Sequence, residues 1–313
     1  MRKINKIIMA GAGRMGYLIA EIAAKKGFEV ILYNRGEETL NKAKKLIELD
    51  IEQSIIKEEI SREEGNTILS KIQYTCDKMC FKTAEFVLES IVENMDAKHT
   101  FFEEICTLVP DDAILATNTS GFSITEIAKA VKKPERFCGM HWWNPPHIVP
   151  LIEVIKGDST NDETAQIIEN LCLELGKEPV VVKKDIKGFI GNRIQQAVLR
   201  ESLHIVASGA ATYEDVDRAI KYGVGMRYAY IGPFETVDFN GVDIFNNVCK
   251  YMFAELDNTN TSPKLLEDMI NENKLGIKTC EGFYKYTEDE AKKAVEKRDE
   301  AFKRVIDCLK DMR

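Results

Sequence analysis

At 313 residues, with 44% hydrophobic and 30% charged side chains, the sequence has the make-up of a globular chain long enough for two domains. A net charge of −8 with no cluster of basic residues excludes a nucleic-acid backbone as partner, and no apolar run reaches the length of a membrane span. Met1-Arg2-Lys3 leads straight into a strand pattern, and the eight cysteines include no zinc-like CxxC pair. The expectation is a cytoplasmic protein with reduced thiols and no metal site.

Ile4–Ala10 reads as a short buried strand. Gly11-Ala12-Gly13-Arg14-Met15-Gly16 follows, and then apolar residues at helical spacing (Leu18, Ile19, Ile22, Ala23) up to Gly27. Strand, glycine turn and helix form the context in which GxGxxG binds a dinucleotide. Gly11 permits the tight turn, Gly13 lets the backbone approach a pyrophosphate, and Gly16 lets the helix pack on the strand. The helix N-terminus offers its unpaired N–H groups to the anion. A second strand follows over Glu29–Asn34. Its end is where an NAD site carries an acid for the ribose 2′-hydroxyl, yet Tyr33-Asn34-Arg35 contains none. Either Arg35 pairs with the 2′-phosphate of NADP, or Arg35 is a solvated loop residue and Asn34 bonds the hydroxyl of NAD. The missing carboxylate favours NADP.

Residues 37–65 are charged and periodic, predicting two helices in an antiparallel excursion that walls a substrate cleft or simply packs as a surface hairpin. Phe86–Val92 is a strand pattern ending in Glu93, Ala97–Val109 a helix, and Ala113–Ala116 a strand running into Thr117-Asn118-Thr119-Ser120-Gly121. A further apolar strand (Phe137, Cys138, Met140) ends at His141, and Glu153 lies in the next apolar run, Val149–Ile155. Pro145-Pro146 between them can continue neither helix nor ladder, which forces a reversal that would bring Glu153 beside His141. An imidazole held by a carboxylate is the arrangement of a general base near neutral pH, and also of many structural contacts. Glu93, Ser120 and His141 all fall at or just after the C-terminal ends of strands. That edge is where doubly wound sheets bind ligands, and the coincidence favours a site.

Pro179–Val182 is the last strand of the first domain, and Asp185-Ile186-Lys187-Gly188 reads as the junction. Phe189, Ile190, Ile194, Ala197, Val198, Leu203 and Val206 predict a long helix stopping before Gly209, and Thr212-x-x-Asp215 resembles a capping box. Further helices fit 235–255, 262–272 and 287–311. The predicted fold is α/β, a Rossmann-type doubly wound sheet over 1–186 followed by an all-helical domain over 187–313.

Taken together, Gly11-x-Gly13-x-x-Gly16, Glu89-x-x-x-Glu93-x-x-x-x-Lys98, Asn118-Thr119-Ser120, His141-x-x-Asn144-Pro145, Glu153, Lys187-Gly188-Phe189-x-x-Asn192-Arg193, Gly232-Pro233-Phe234-Glu235 and Gly282-Phe283-Tyr284-Lys285-Tyr286 resemble the 3-hydroxyacyl-CoA dehydrogenase family. The resemblance covers residues 3–286. It implies that His141 removes the C3 hydroxyl proton while Glu153 orients it, and that Ser120 and Asn192 hydrogen-bond the substrate oxygens. It also implies that Glu93, Lys98, Ser120, Asn144 and Lys278 contact the nicotinamide half of the cofactor, and that the chain forms a homodimer through its helical domain.

Three positions depart from the family pattern. Asn34-Arg35 replaces the usual acid, which leaves NAD or NADP open, and Lys187 stands where proline is common. The segment Gly223–Pro233 is longer than in acyl-CoA enzymes and resembles the L-gulonate 3-dehydrogenase and lambda-crystallin branch, which acts on free hydroxy acids. Arg227 in that longer loop is either a fork for a substrate carboxylate or a structural Arg capping carbonyls or a subunit contact. The expected activity is oxidation and reduction of a 3-hydroxyacyl substrate, as a CoA thioester or as a free hydroxy acid. The contrasting expectation is a non-catalytic dinucleotide-binding protein.

Overall fold

A computed structural model describes residues 2–311, which fall into two compact units divided between Gly191 and Asn192. The first unit alternates strand and helix: β1 Lys6–Ala10, α1 Arg14–Lys25, β2 Glu29–Tyr33, α2 Glu37–Ile56, α3 Arg62–Ser70, β3 Ile72–Thr75, β4 Phe86–Glu89, α4 Met95–Ile105, β5 Ile114–Thr117, α5 Ile124–Ala128, β6 Phe137–Trp142, β7 Leu151–Ile155, α6 Asp162–Glu174 and β8 Glu178–Val182. The strands form one sheet of order β3-β2-β1-β4-β5-β6-β7-β8. Every neighbouring pair is parallel except β6 and β7. The order reverses between β1 and β4, which opens a crevice at the carboxyl ends of these strands.

Strand side chains alternate between two apolar layers, so both faces must be covered. Met9, Leu32, Leu88 and Met140 face the layer built with α1, α2 and α6, while Ile8, Ile31, Val87 and Phe137 face the layer of Phe81, Phe101, Phe102 and Ile127. The excursion after β2 belongs to this framework. Leu40, Ala43, Ile47 and Ile51 of α2 are buried in the first layer, and Ser61 and Glu64 form a complete capping box for α3. The chain then returns as β3 on the sheet edge. Sequence periodicity gave no sign of this strand, because it is four residues long and only its first residue is buried.

β4 is shorter than expected. Ser90 N–H still donates to the Ala10 carbonyl at 2.8 Å, but Glu89 turns its own side chain back, Oε1 accepting the Ile91 N–H at 2.7 Å, and this local bond diverts the next amide from the ladder.

The second unit is helical: α7 Gly191–Ala207, α8 Tyr213–Ala219, α9 Gly225–Tyr230, α10 Pro233–Asn240, α11 Val242–Met252, α12 Lys264–Asn271 and α13 Glu288–Asp311. Two expectations need correction here. The supposed loop carrying Arg227 is helical, a π-helical stretch (Ile220–Val224) joining α8 to α9. The single helix expected over 235–255 is broken at Gly241, whose φ of +100° suits only glycine. Thr212 caps α8 by accepting the Asp215 N–H, but the Asp215 carboxylate accepts the Thr212 hydroxyl instead of closing a box. No helix among the described residues is long and apolar enough to cross a membrane.

Candidate active site

The glycine turn lies where β1 ends. Gly11 has φ +110°, and a Cβ there would lie 2.4 Å from the Ser90 carbonyl oxygen; a Cβ on Gly16 would lie 1.9 Å from the Gly11 carbonyl. These two glycines exist for close packing. Gly13 differs, since a Cβ there would meet nothing within 4 Å. It faces a cavity of about 600 Å³ lined by Gly11, Gly13, Arg14, Met15, Tyr33, Asn34, Arg35, Ser90, Ile91 and Val92 among others. Gly13 is also the N-cap of α1 and carries no side-chain cap, so the first N–H groups of a 12-residue helix point into this space. Bare backbone, an open helix end and a long groove fit the pyrophosphate of a dinucleotide.

At the end of β2 the Asn34 amide braces the turn. Its Oδ1 accepts the Ala12 N–H at 3.2 Å and its Nδ2 donates to the Gly36 carbonyl at 2.9 Å. Arg35 is largely exposed at the cavity wall, with its guanidinium 3.7 Å from Glu104.

Beyond β4 and β5 a second network is assembled. Glu93 Oε1 accepts the Thr119 hydroxyl at 2.5 Å and the Ser120 N–H at 3.0 Å, which fixes the 118–121 turn. Asn118 ties that turn to the next strand, Oδ1 accepting the Trp142 N–H at 2.9 Å. Beneath them Lys98 is completely buried. It donates to both oxygens of Glu89, at 2.7 and 3.0 Å, and lies 3.3 Å from Glu93. Glu89 also accepts the Thr117 hydroxyl at 2.6 Å. Lys98, of which direct cofactor contact was expected, is sealed from the surface and meets Glu89 and Glu93. Glu89 had no assigned role in the sequence reading; its full burial beside a lysine is what marks it.

His141 and Glu153 occupy directly paired positions of β6 and β7, with Nδ1 and Oε2 2.7 Å apart. Glu153 is wholly buried and fully engaged. The Trp143 indole N–H donates to Oε2 at 3.3 Å, and the Ile190 and Gly191 N–H groups donate to Oε1 at 2.8 and 2.9 Å. Those two amides are aimed by left-handed backbone at Gly188 (φ +76°) and Phe189 (φ +50°). Phe189 therefore precedes α7 and packs its ring 5.6 Å from the imidazole, a placement that the helical reading of this stretch missed. Burial pushes the Glu153 carboxyl up, but hydrogen bonds from His141, Gly191 and Ile190 outweigh it and hold the group below the usual carboxylate range. An ionised carboxylate only accepts, so Nδ1 carries the imidazole proton and Nε2 is left basic.

The hairpin turn includes a cis Asn144–Pro145 bond, with Asn144 exposed. Lys177, nearly buried, donates to the Pro146 and Val149 carbonyls and fastens this turn to the base of β8. Glu93 thus holds the 118–121 turn, that turn is tied through Asn118 to the β6 backbone at Trp142, and the neighbouring residue of β6 is His141, bonded to Glu153. Asn192, Arg227 and Lys278 belong to the second unit: Asn192 in the first turn of α7, Arg227 on α9, and Lys278 exposed in the turn between Gly276 and Glu281.

Comparison with known proteins places this geometry. Residues 6–186 match the family model for the 3-hydroxyacyl-CoA dehydrogenase NAD binding domain, and residues 188–286 match the model for its C-terminal domain. The chain is 33% identical over 290 residues to the 5-formyl-3-hydroxy-2-methylpyridine 4-carboxylate 5-dehydrogenase of Mesorhizobium japonicum, covering 92% of this chain and 93% of that protein. It is 36% identical over 282 residues to a probable 3-hydroxybutyryl-CoA dehydrogenase of Deinococcus radiodurans, covering 90% and 100%. Among solved structures, the same pyridine-carboxylate 5-dehydrogenase, described as an NAD+ dependent dismutase, superposes with a TM-score of 0.88 at 32% identity, covering 98% of this chain and 99% of that one. A (S)-3-hydroxybutyryl-CoA dehydrogenase from Ralstonia eutropha gives 0.77 at 30% identity, covering 91% and 100%. The expected preference for NADP gains no support from these relatives. The chain belongs to the 3-hydroxyacyl-CoA dehydrogenase family and is an oxidoreductase with an NAD-binding domain.

Proposed function

We propose that the protein interconverts a 3-hydroxyacyl-CoA thioester and its 3-keto form, using NAD, with His141 as the general base. The observation that carries this reading is the 2.7 Å contact between His141 Nδ1 and a buried, ionised Glu153, which leaves Nε2 able to take the hydroxyl proton. A nicotinamide dinucleotide held in this site would supply the hydride acceptor or donor. Gly11–Gly16 and the start of α1 hold its pyrophosphate, Asn34 and Arg35 lie at the ribose end, and Glu93, Ser120, Asn144 and Lys278 serve the nicotinamide half. Lys98 holds Glu93 in place. Ser120 and Asn192 orient the substrate oxygens, and Glu153 stabilises the imidazolium that forms.

A second reading, oxidation of a free carboxylate-bearing substrate, is favoured by the close fit over 98% of the chain to the pyridine-carboxylate enzyme. Arg227 would then take the carboxylate. A steady-state comparison of acetoacetyl-CoA with a panel of free keto and formyl acids, using NADH and NADPH in parallel, separates the two. Turnover of acetoacetyl-CoA alone supports the first reading, and turnover of a free acid alone supports the second.

The functional divide is placed at 186/187, with 187–313 as the substrate and dimerisation domain. Support for a homodimer comes from the second unit, where Phe234, Tyr222 and Phe239 are 85%, 79% and 76% exposed. Within that unit only Leu203, Thr236 and Ala291 of the described residues are buried. Eight unpaired cysteines suit the reducing cytoplasm.

A further inference from the structure

The end of β2 lacks the acid that normally discriminates against a 2′-phosphate, yet a carboxylate is present there in space. Ala97 and Phe101 of α4 line the dinucleotide cavity, and Glu104 lies one turn further along the same helix face. Its two oxygens are divided between two cations. Oε2 is 3.7 Å from the Arg35 guanidinium, and Oε1 is hydrogen-bonded by the Lys78 ammonium. The Lys78 hydrogen bond, with the Lys78 and Arg35 charges behind it, holds the Glu104 carboxyl below its usual range against the opposing effect of partial burial. Glu104 is therefore ionised at neutral pH, and the cluster carries a net charge of +1 rather than +2.

The geometry points to Glu104 as the residue that sets the dinucleotide preference, by occupying Arg35 and Lys78 and adding a negative charge where a 2′-phosphate would sit. This rests on the reading that the glycine-turn cavity binds the dinucleotide. A 2′-phosphate approaching Arg35 must compete with a carboxylate already paired to it, and a dianion is repelled by that carboxylate. A 2′-hydroxyl meets neither penalty. The same arrangement explains how the site can carry an arginine beside the ribose without becoming an NADP site.

Fluorescence titration of the full chain with NADH and with NADPH tests the assignment. Glu104→Gln keeps the size of the side chain and removes the charge, and should raise affinity for NADPH relative to NADH on the order of tenfold, as expected for one charge acting on a phosphate in a wet groove. Adding Arg35→Ala to that variant should remove the part of the gain that the freed Arg35 supplies, leaving a smaller one from Lys78 and the lost repulsion. Raising the salt concentration should shrink it, because the cluster is solvent-exposed. An unchanged ratio of the two affinities in Glu104→Gln, or a gain undiminished by Arg35→Ala, overturns the assignment while leaving the cofactor site standing. Failure of the parent protein to bind either nucleotide, or nucleotide binding indifferent to Gly13→Val, overturns the cofactor site and this assignment with it.

Discussion

His141 on β6 and Glu153 on β7 face each other across an antiparallel pair, and the 2.7 Å contact of their side chains follows from that register. Opposed residues project to the same side of the sheet, so the strands deliver the two groups together without help from a loop. A slip of one residue would send Glu153 to the opposite face. The remaining carboxylate oxygen is occupied by the Ile190 and Gly191 amides, which leaves the imidazole as the group whose orientation Glu153 controls.

Glu153→Gln separates geometry from tautomer. The glutamine oxygen can still accept the Ile190 and Gly191 N–H groups, which points its NH2 at His141 Nδ1. A donor in that place forces the proton onto Nε2, the nitrogen needed as base. Turnover should fall on the order of 10³-fold or more with the fold and nucleotide affinity retained, as the comparable change in other His–carboxylate pairs indicates. Steady-state rates beside fluorescence titration of NADH check this.

The same residue leaves a signature in stability. The folded Glu153 carboxyl titrates below its ordinary value of 4.5, so the unfolded chain binds the proton more tightly. Stability from this group is complete above the ordinary range and is lost as pH falls through the lower folded value. Thermal unfolding of the parent and of Glu153→Gln between neutral and acid pH should show a gap that is widest near neutrality and closes in acid. A gap that widens in acid would reverse the assignment.

Gly13 and Gly16 should respond differently to alanine. A Cβ at Gly16 would lie 1.9 Å from a backbone oxygen, so Gly16→Ala should destabilise the fold by about 2 kcal/mol or more through backbone displacement. At Gly13 the space is open, and Gly13→Ala should melt within a degree or two of the parent. Its loss should appear in NADH affinity, on the order of tenfold, because the methyl intrudes where a pyrophosphate must approach the helix end. Calorimetry and fluorescence titration together read both.

Lys98 and Glu89 form an ion pair with both side chains fully buried. Removing one partner strands a charge, so Lys98→Met should cost about 3–5 kcal/mol in denaturant unfolding, while Lys98→Met with Glu89→Leu should recover a substantial part of that. Glu89 also accepts the Ile91 amide and the Thr117 hydroxyl, so recovery should be incomplete.

The parts that repeat with a period were legible in the sequence. β1, the glycine turn and α1 carry their own signals, and Pro145-Pro146 between two apolar runs was enough to predict the reversal joining His141 to Glu153. What escaped depends on side chains meeting across long separations or on unusual backbone. β3 is four residues with one buried position, Glu89 and Lys98 look like solvated charges until the sheet encloses them, and Phe189 looks helical until its φ is known. The Arg227 segment shows the opposite error. It was expected to be a loop, yet helical backbone runs through it. Arg35 was read from chain neighbours alone, whereas Glu104, which defines its electrostatic setting, lies far along the chain.

The central claim is that His141 is the base. His141→Ala, assayed with NADH and the best substrate of the carbonyl panel, should lose turnover on the order of 10³-fold while binding NADH as the parent does. Turnover within tenfold of the parent would contradict the claim.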